Sequence, residues 1–431
     1  MYRWVNGCAA VVLLSLGLTA CAGETGTPEG TATGSVDPSA LTGTVTFWDT
    51  ADPTTEAPVF QKLIAGFEQQ YPNIDVEHVI VPFAEAQDRF RKAAQAGQGP
   101  DVMRADVGWT TEFAALGYLQ PLTQTPLAAG EDAFLPVAWA SNEFDDDLWG
   151  VPQVTDAPAL LCNRDLLAKA GVAVPKTWQD VKTGAAAVTG AGSTFLYGPP
   201  GGYFTLPYVF SQGGDMLDPE LKEILINDPE SVAGFQTALD LIVSGASVKP
   251  DPTNAYGAQQ TLFKEGKVAC VINGPWSIAD ALTSQTFADP KNLTVNLIPD
   301  GAETGASPVG GHNYVVYAAA ADKAASYLFI DYMNSQAAQV QVAEQLGLLP
   351  TRTAAYGEVA KSASPKAAFV AAFEPVMAAA QERPWIPEQG LALNALDEQW
   401  TQMYTGAVTA QQGADNVAQA WLKFLPKDYT D

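Results

Sequence analysis

The sequence predicts an α/β fold in two lobes, each a mostly parallel sheet flanked by helices, with a ligand cleft between them. Strand-like and helix-like segments alternate along most of the chain, the pattern of a sheet built with helical crossovers. The part that folds, about 390 residues, exceeds what one hydrophobic core usually holds, and the space between two lobes is the natural place for a ligand. Thirty prolines and thirty-seven glycines spread through the chain supply short loops, with no internal repeat or low-complexity period.

The first element is an address. Arg3 gives a positive start, and Ala9 to Ala20 is an uncharged, mostly apolar run ending in Leu18-Thr19-Ala20-Cys21. A run of about 12 residues suits the core of a signal peptide, whereas a spanning helix needs about 20. Residues 1–20 are therefore expected to be a signal peptide. Leu-Thr-Ala-Cys resembles the bacterial lipobox, which implies that Cys21 carries lipid and anchors the protein to the outer face of the cell membrane. Residues 21–43 hold Gly, Thr, Ala, Pro and Ser with three acids and no aromatic ring, a tether of roughly 25 Å as a flexible coil.

The folded part is expected to start at Thr44. Thr44 to Trp48 reads as a strand, and Phe60, Leu63, Ile64, Phe67 and Tyr71 recur at helical spacing before a second strand at Val76 to Val81. A helix over Asp88 to Ala96, a break at Gly97-Gln-Gly-Pro100, a short strand at Asp101 to Met103 and a helix over Thr111 to Leu116 repeat the unit. Farther on, Val232, Phe235, Leu239 and Ile242 mark a helix face, Gly266 closes another helix, and Lys267 to Ile272 reads as a strand. Ala321 to Met333 and Leu391 to Tyr404 are helical, so helices close the chain. The lobes are predicted as 44–153 plus 301–362 and 154–300 plus 363–431, with crossings near Pro152 to Asp156 and near Ile298 to Ser307. Cys162 and Cys270 lie in apolar runs; export permits a disulfide between them, and burial alone suits two free thiols equally well.

Charge and missing motifs narrow the function. With 22 basic against 48 acidic side chains the formal charge is −26, so nucleic acid and anionic membrane surfaces are poor partners. The two histidines, His78 and His312, have no ligand partner at metal-binding spacing, and there is no phosphate loop, nucleophile elbow or His-Glu-x-x-His. A glycosidase needs only two carboxylates and stays open on sequence alone, with Asp106 and Asp156 as its acids. What the chain does carry is rings beside turns: Trp48, Trp109, Tyr203, Trp276 and Trp385. Sugars suit such a set, since their C–H faces pack on rings while their hydroxyls bond to carboxylates and amides.

Four stretches carry a family resemblance: Gly266-Lys-Val-Ala with Asn273-Gly-Pro-Trp-Ser277; Gly202-Tyr-Phe-Thr-Leu-Pro207 with Gly213-Gly214; Asn163-Arg-Asp-Leu-Leu167 with Val174-Pro-Lys-Thr-Trp178; and Gly99-Pro-Asp-Val102 with Gly117-Tyr-Leu119. They resemble the maltose and maltodextrin-binding proteins of bacterial ABC importers, over nearly the whole chain from Thr44. The resemblance implies a periplasmic-binding-protein-like fold and a lipid-anchored, monomeric substrate-binding component of a carbohydrate importer, of the Gram-positive kind. Such a component takes maltose or maltodextrin-type α-glucosides and delivers them to the membrane permease, without catalysis, cofactor or metal. Trehalose, another oligosaccharide or a polyamine are the alternative solutes.

By motif match, Tyr203 and Trp276 occupy ring-stacking positions of the second lobe, and Asp156 that of the acidic hydroxyl-binder at the lobe crossing. Asp106 and Trp109 stand where the first lobe supplies a carboxylate and a ring. Asp49, after the first strand, is a further expected hydroxyl acceptor, and His312 a hydrogen-bonding residue at the cleft floor. The Trp385-Ile-Pro387 segment resembles the family's Pro-x-x-Pro loop, but the ring expected farther along falls among Ala392 and Leu393, so Trp385, with Glu388, is expected to substitute. His78 reads as part of its strand.

Overall fold

The computed structural model describes residues 38–431. The expected signal peptide, the lipidated Cys21 and the tether up to Asp37 lie outside the described residues. The fold begins earlier than Thr44: Pro38–Ala40 forms one 3-10 turn and Leu41 packs on the first core, because an apolar side chain beside a core is buried with it.

Two sheets organise the molecule. The first contains β1 (Gly43–Asp49), β2 (Ile74–Ile80), β3 (Val102–Asp106), β4 (Gly150–Asp156), β10 (Gly310–Val316) and β11 (Leu349–Pro350), in the order β11-β4-β10-β3-β1-β2. The second contains β5 (Ala159–Asn163), β6 (Thr194–Tyr197), β7 (Ser247–Val248), β8 (Val268–Asn273) and β9 (Leu293–Asn296), in the order β7-β6-β8-β5-β9. The expected mostly parallel sheets are mixed. β1 runs parallel to β2 and β3, and β6 to β7 and β8, but β10 is antiparallel to β3 and β4, and β5 to β8 and β9. The reason is connectivity. The chain leaves the first sheet along β4, builds the second sheet and returns along β10, so these two strands are joined through a whole lobe and not by a single crossover helix.

This pairing also locates the first crossing. Asp156 still pairs with Gly310 in the first sheet, and Ala159 already pairs with Asn273 in the second. The chain therefore passes between lobes at Ala157-Pro158, and residues 154–156 belong to the first sheet instead of opening the second lobe.

Alternation along the strands feeds a core on each face of the first sheet. Tyr314 and Val316 join Val45, Phe47, Phe60 and Phe329 on one side, while Val315 joins Met103, Phe90 and Phe113 on the other. Helix Ala57–Gln70 turns Phe60, Leu63, Ile64 and Phe67 inward as its spacing predicts. The second sheet is covered by helix Pro229–Val243 and by two closing helices, Gln389–Thr405 and Ala410–Trp421, whose Trp400 and Trp421 are fully buried. Each indole N–H keeps a partner: Trp400 donates to the carbonyl of Pro199 at 2.8 Å and Trp421 to that of Ala392 at 3.0 Å. Each ring therefore contributes the full hydrophobic gain of its burial, roughly 3 kcal/mol, without a stranded donor. Cys162 and Cys270 face each other across β5 and β8, 4.1 Å apart at Cα, and are joined by a disulfide.

Candidate functional site

The site grows from the carboxyl ends of the strands, where open α/β sheets leave a crevice. At the end of β3, Asp106 caps helix Val107–Ala115, accepting from the Gly108 N–H at 2.8 Å. At the end of β4, Asp156 faces Gly310. A Cβ at Gly310 would collide with the Asp156 carboxylate and lie 3.0 Å from the Tyr203 hydroxyl, so only glycine lets the three meet. Tyr203 comes from the second lobe, in the loop after β6. Its neighbour Gly202 presses on helix Gln389–Thr405, where a Cβ would stand 2.7 Å from the Asp397 nitrogen, and its own N–H donates to the Asp397 carboxylate. The Tyr203 hydroxyl donates to the Pro308 carbonyl at 3.3 Å.

Sequence reasoning missed the residue on which this group converges. Arg383 is 4% exposed; its Nε donates to the Val309 carbonyl at 2.8 Å and its Nη2 stands 3.6 Å from Asp106 Oδ1. Its guanidinium carbon lies 5.3 Å from the centre of the Tyr203 ring and 5.6 Å from that of Trp385. The signal was an arginine set beside proline and tryptophan in a chain poor in cations.

Several buried polar atoms here have no hydrogen-bond partner among the described residues: Nη2 of Arg383, both ring nitrogens of His312, Nε1 of Trp385 and Oε1 of Gln389. Each such atom costs about 1–3 kcal/mol. They are donors and acceptors that water or a polar ligand can satisfy.

Burial shapes the charge. The Asp156 carboxyl is pushed up to about 7, first by burial and then by the neighbouring Asp106 carboxylate, with Arg383 and Arg104 opposing. Burial, with Arg104 adding to it, holds His312 well below the usual histidine range, so its ring is neutral at pH 7. Tyr203 is pushed far above the ordinary phenol value by burial.

Trp276, on the turn after β8, donates from Nε1 to the Tyr256 hydroxyl at 2.9 Å, and although carried by the second lobe it packs against the first lobe's core. Trp109 is buried under Phe83, ring centres 5.0 Å apart, and Phe83 is 49% exposed. The accessible ring of the first lobe is thus Phe83, with His312 edge-on to it at 6.0 Å.

Asp49 departs from expectation. It is fully buried, its Oδ1 accepts from the Ala51 N–H at 2.9 Å, and its Oδ2 lies 2.9 Å from His78 Nε2. Both oxygens are engaged inside the first lobe, so Asp49 is the partner of His78 and not a hydroxyl acceptor in the cleft. The fold supplies His78 with the neighbour that its own strand lacks.

Comparison with known proteins agrees with this architecture. Residues 51–340 match the family described as bacterial extracellular solute-binding protein. Among curated relatives, a maltotriose-binding protein of Pyrococcus abyssi is 26% identical over 72% of this chain and 66% of its own length. A maltooligosaccharide ABC transporter solute-binding lipoprotein of Streptococcus pneumoniae is 27% identical over 62% of this chain and 63% of its own length. The alignments thus span just under two thirds of those relatives. Among solved structures, the GacH receptor of Streptomyces glaucescens, known unliganded and in complex with acarbose and an acarbose homolog, is 40% identical with a TM-score of 0.87, covering 90% of this chain and 100% of its own. Maltose-bound MalE3 of T. maritima is 26% identical with a TM-score of 0.79, covering 89% and 100%.

Proposed function

The chain belongs to the bacterial extracellular solute-binding protein family, and from that premise we propose that it is the lipid-anchored, monomeric substrate-binding component of a carbohydrate ABC importer. Its ligands are maltose and maltodextrin-type α-glucosides, held in the cleft between the lobes and handed to the permease. The observation that carries this reading is the set of buried, unpartnered polar atoms of Arg383, His312, Trp385 and Gln389 beside the rings of Tyr203 and Trp385. The relatives' ligands, maltotriose, maltooligosaccharide, maltose and acarbose, support it.

In this reading Tyr203, Trp276 and Trp385 stack on sugar faces, and Asp106, Asp156, His312 and Arg383 bond to hydroxyls. Trp109 acts from beneath Phe83. Sugar on one lobe presents its other face to the second, so closure is a population shift driven by contacts made only in the closed state. No covalent step is involved. Release to a permease calls for a micromolar dissociation constant, about −8 kcal/mol.

The test is thermal unfolding of residues 22–431 with maltose, maltotriose, trehalose, other oligosaccharides and spermidine, since a ligand of the native state raises the midpoint. A shift with maltotriose or maltose is expected. A shift only with spermidine or an unrelated sugar overturns the α-glucan assignment. For the anchor, Cys21→Ser should move the protein from the membrane fraction to the medium; unchanged fractionation refutes lipidation at Cys21.

A further inference from the structure

Tyr203 is carried by a turn whose own sequence lacks the residue that would cap it. Residues 198–202 link β6 to a helical run made of a 3-10 turn, Tyr203–Thr205, and helix Leu206–Ser211. The first amide groups of such a run have no partner within it. Serine, threonine, aspartate or asparagine usually supplies the acceptor from the capping position, but here that position is Gly202, which has no side chain to offer. Its φ is −58°, an angle open to any residue, so glycine stands there for closeness and not for backbone conformation. A Cβ on it would lie 2.7 Å from the Asp397 nitrogen and 2.8 Å from the Leu396 carbonyl carbon, and one on Gly201 would lie 2.8 Å from Asp397 Oδ1. The acceptor comes from the closing helix Gln389–Thr405: Asp397 Oδ1 accepts from the Gly202 N–H. One turn on, Trp400 donates to the Pro199 carbonyl at 2.8 Å, so the same helix grips both ends of the loop. Its first turn is fixed in turn against the first lobe. Thr111 Oγ1 donates to the Ile386 carbonyl at 3.1 Å, and a Cβ on Gly108 would meet Gln389 as one on Gly390 would meet Gln87.

We propose that Asp397 is a positioning residue of the sugar-binding cleft: it caps the Tyr203 turn from a remote helix and thereby sets the angle at which the ring meets a sugar face. The inference rests on the sugar reading of Tyr203 above. Asp397 is exposed, so truncating it opens no cavity in the core. A carboxylate at the start of a helical run gains from the helix dipole as well as from the N–H it accepts. The far end of the ring is held only loosely, since the Tyr203 hydroxyl reaches the Pro308 carbonyl at 3.3 Å, long for an O–H donor. The placement of the ring therefore depends on the backbone beneath it. Without the Asp397 acceptor the turn relaxes, and the ordering of the ring that ligand then demands opposes binding.

The experiment is titration calorimetry with maltotriose on residues 22–431. Asp397→Ala should bind about three- to tenfold more weakly than the wild type, the range of one hydrogen bond. Asp397→Asn, which keeps an amide oxygen for the Gly202 N–H, should recover most of that loss. In a Tyr203→Ala background Asp397→Ala should cost nothing further, because a positioning residue has no effect without the ring it positions. Unchanged affinity in Asp397→Ala, equal losses in both backgrounds, or Asp397→Asn no better than Asp397→Ala overturns the proposal. Amide hydrogen exchange over residues 199–205 reads the clamp without ligand. Faster exchange in Asp397→Ala but not in Asp397→Asn is expected, and equal protection in all three proteins overturns the proposal. If no sugar binds the wild type, the sugar reading falls by itself and exchange alone decides whether Asp397 holds the turn; exchange decides likewise if Tyr203→Ala binds too weakly to titrate.

Discussion

Two buried arginines are treated in opposite ways. Arg104, 2% exposed, gives Nε to Gln153 at 2.8 Å and Nη1 to the Thr50 hydroxyl at 3.4 Å, has Glu56 at 3.6 Å, and lies over the Phe60 ring. Arg383, 4% exposed, has Asp106 at 3.6 Å from Nη2 but makes no hydrogen bond through that atom, and its guanidinium lies beside two aromatic rings. Burial is nearly equal, so burial does not separate a structural cation from one that serves a ligand. Satisfaction does: a side chain whose donors are spent holds the fold, and one whose donors are left over faces something that is not part of the chain.

The largest expected effect tests the satisfied side. Arg104→Met leaves Glu56 buried without its cation and should destabilise the protein by about 3–5 kcal/mol in denaturant unfolding at neutral pH. Glu56 is already held above the usual carboxylate range by burial, with Arg104 pulling it down. In the variant native Glu56 keeps a proton that the unfolded chain releases. Stability then falls as pH rises, and the gap to the wild type should widen toward neutrality and narrow near pH 4. A small gap, independent of pH, would place Arg104 with the ligand-facing group.

Arg383→Met tests the other side. It should weaken maltotriose binding by about 2–3 kcal/mol, the worth of hydrogen bonds to a charged group, with a smaller loss of fold stability than Arg104→Met. The reverse ranking, stability lost and affinity kept, would dissolve the distinction. Next in size is Trp276→Ala, which removes a ring face and should cost about 2 kcal/mol of affinity by calorimetry with folding intact. Unchanged affinity would remove Trp276 from the site. Smallest is Tyr256→Phe. Losing the acceptor of the Trp276 indole should cost about 0.5–1.5 kcal/mol of affinity, and no change would mean that packing against the first lobe alone orients the ring.

How far the site could be read in the sequence follows the same line. Tyr203 and Trp276 sit in glycine-flanked segments whose local pattern announces a ring on a turn, and the close approach of Gly202 to helix Gln389–Thr405 gives the physical reason for the glycine. Asp49 carried an equally clear local signal, a carboxylate after a strand, yet β1 and β2 pair in a register that opposes Phe47 to His78 and brings the Asp49 carboxylate, two residues on, to the His78 ring. Pairing between strands far apart in the chain has no local trace. Arg383 failed in the other direction: its partners Asp106, Val309, Tyr203 and Trp385 come from four separate stretches, three of them remote in sequence.

Periodicity and composition were sufficient for what depends on neighbours within a turn or two. Helix Ala57–Gln70, the helix-closing Gly266 and the closing helix Gln389–Thr405 follow from where apolar side chains recur and where a chain needs a residue at positive φ. Motif likeness reached the family because those segments are local as well. The antiparallel pairing of β4 with β10, the crossing at Ala157-Pro158 and which buried polar atoms go without a hydrogen bond were decided only in three dimensions. The first two depend on contacts between segments more than a hundred residues apart, and the energy of a buried polar group is set by what the whole fold brings to it.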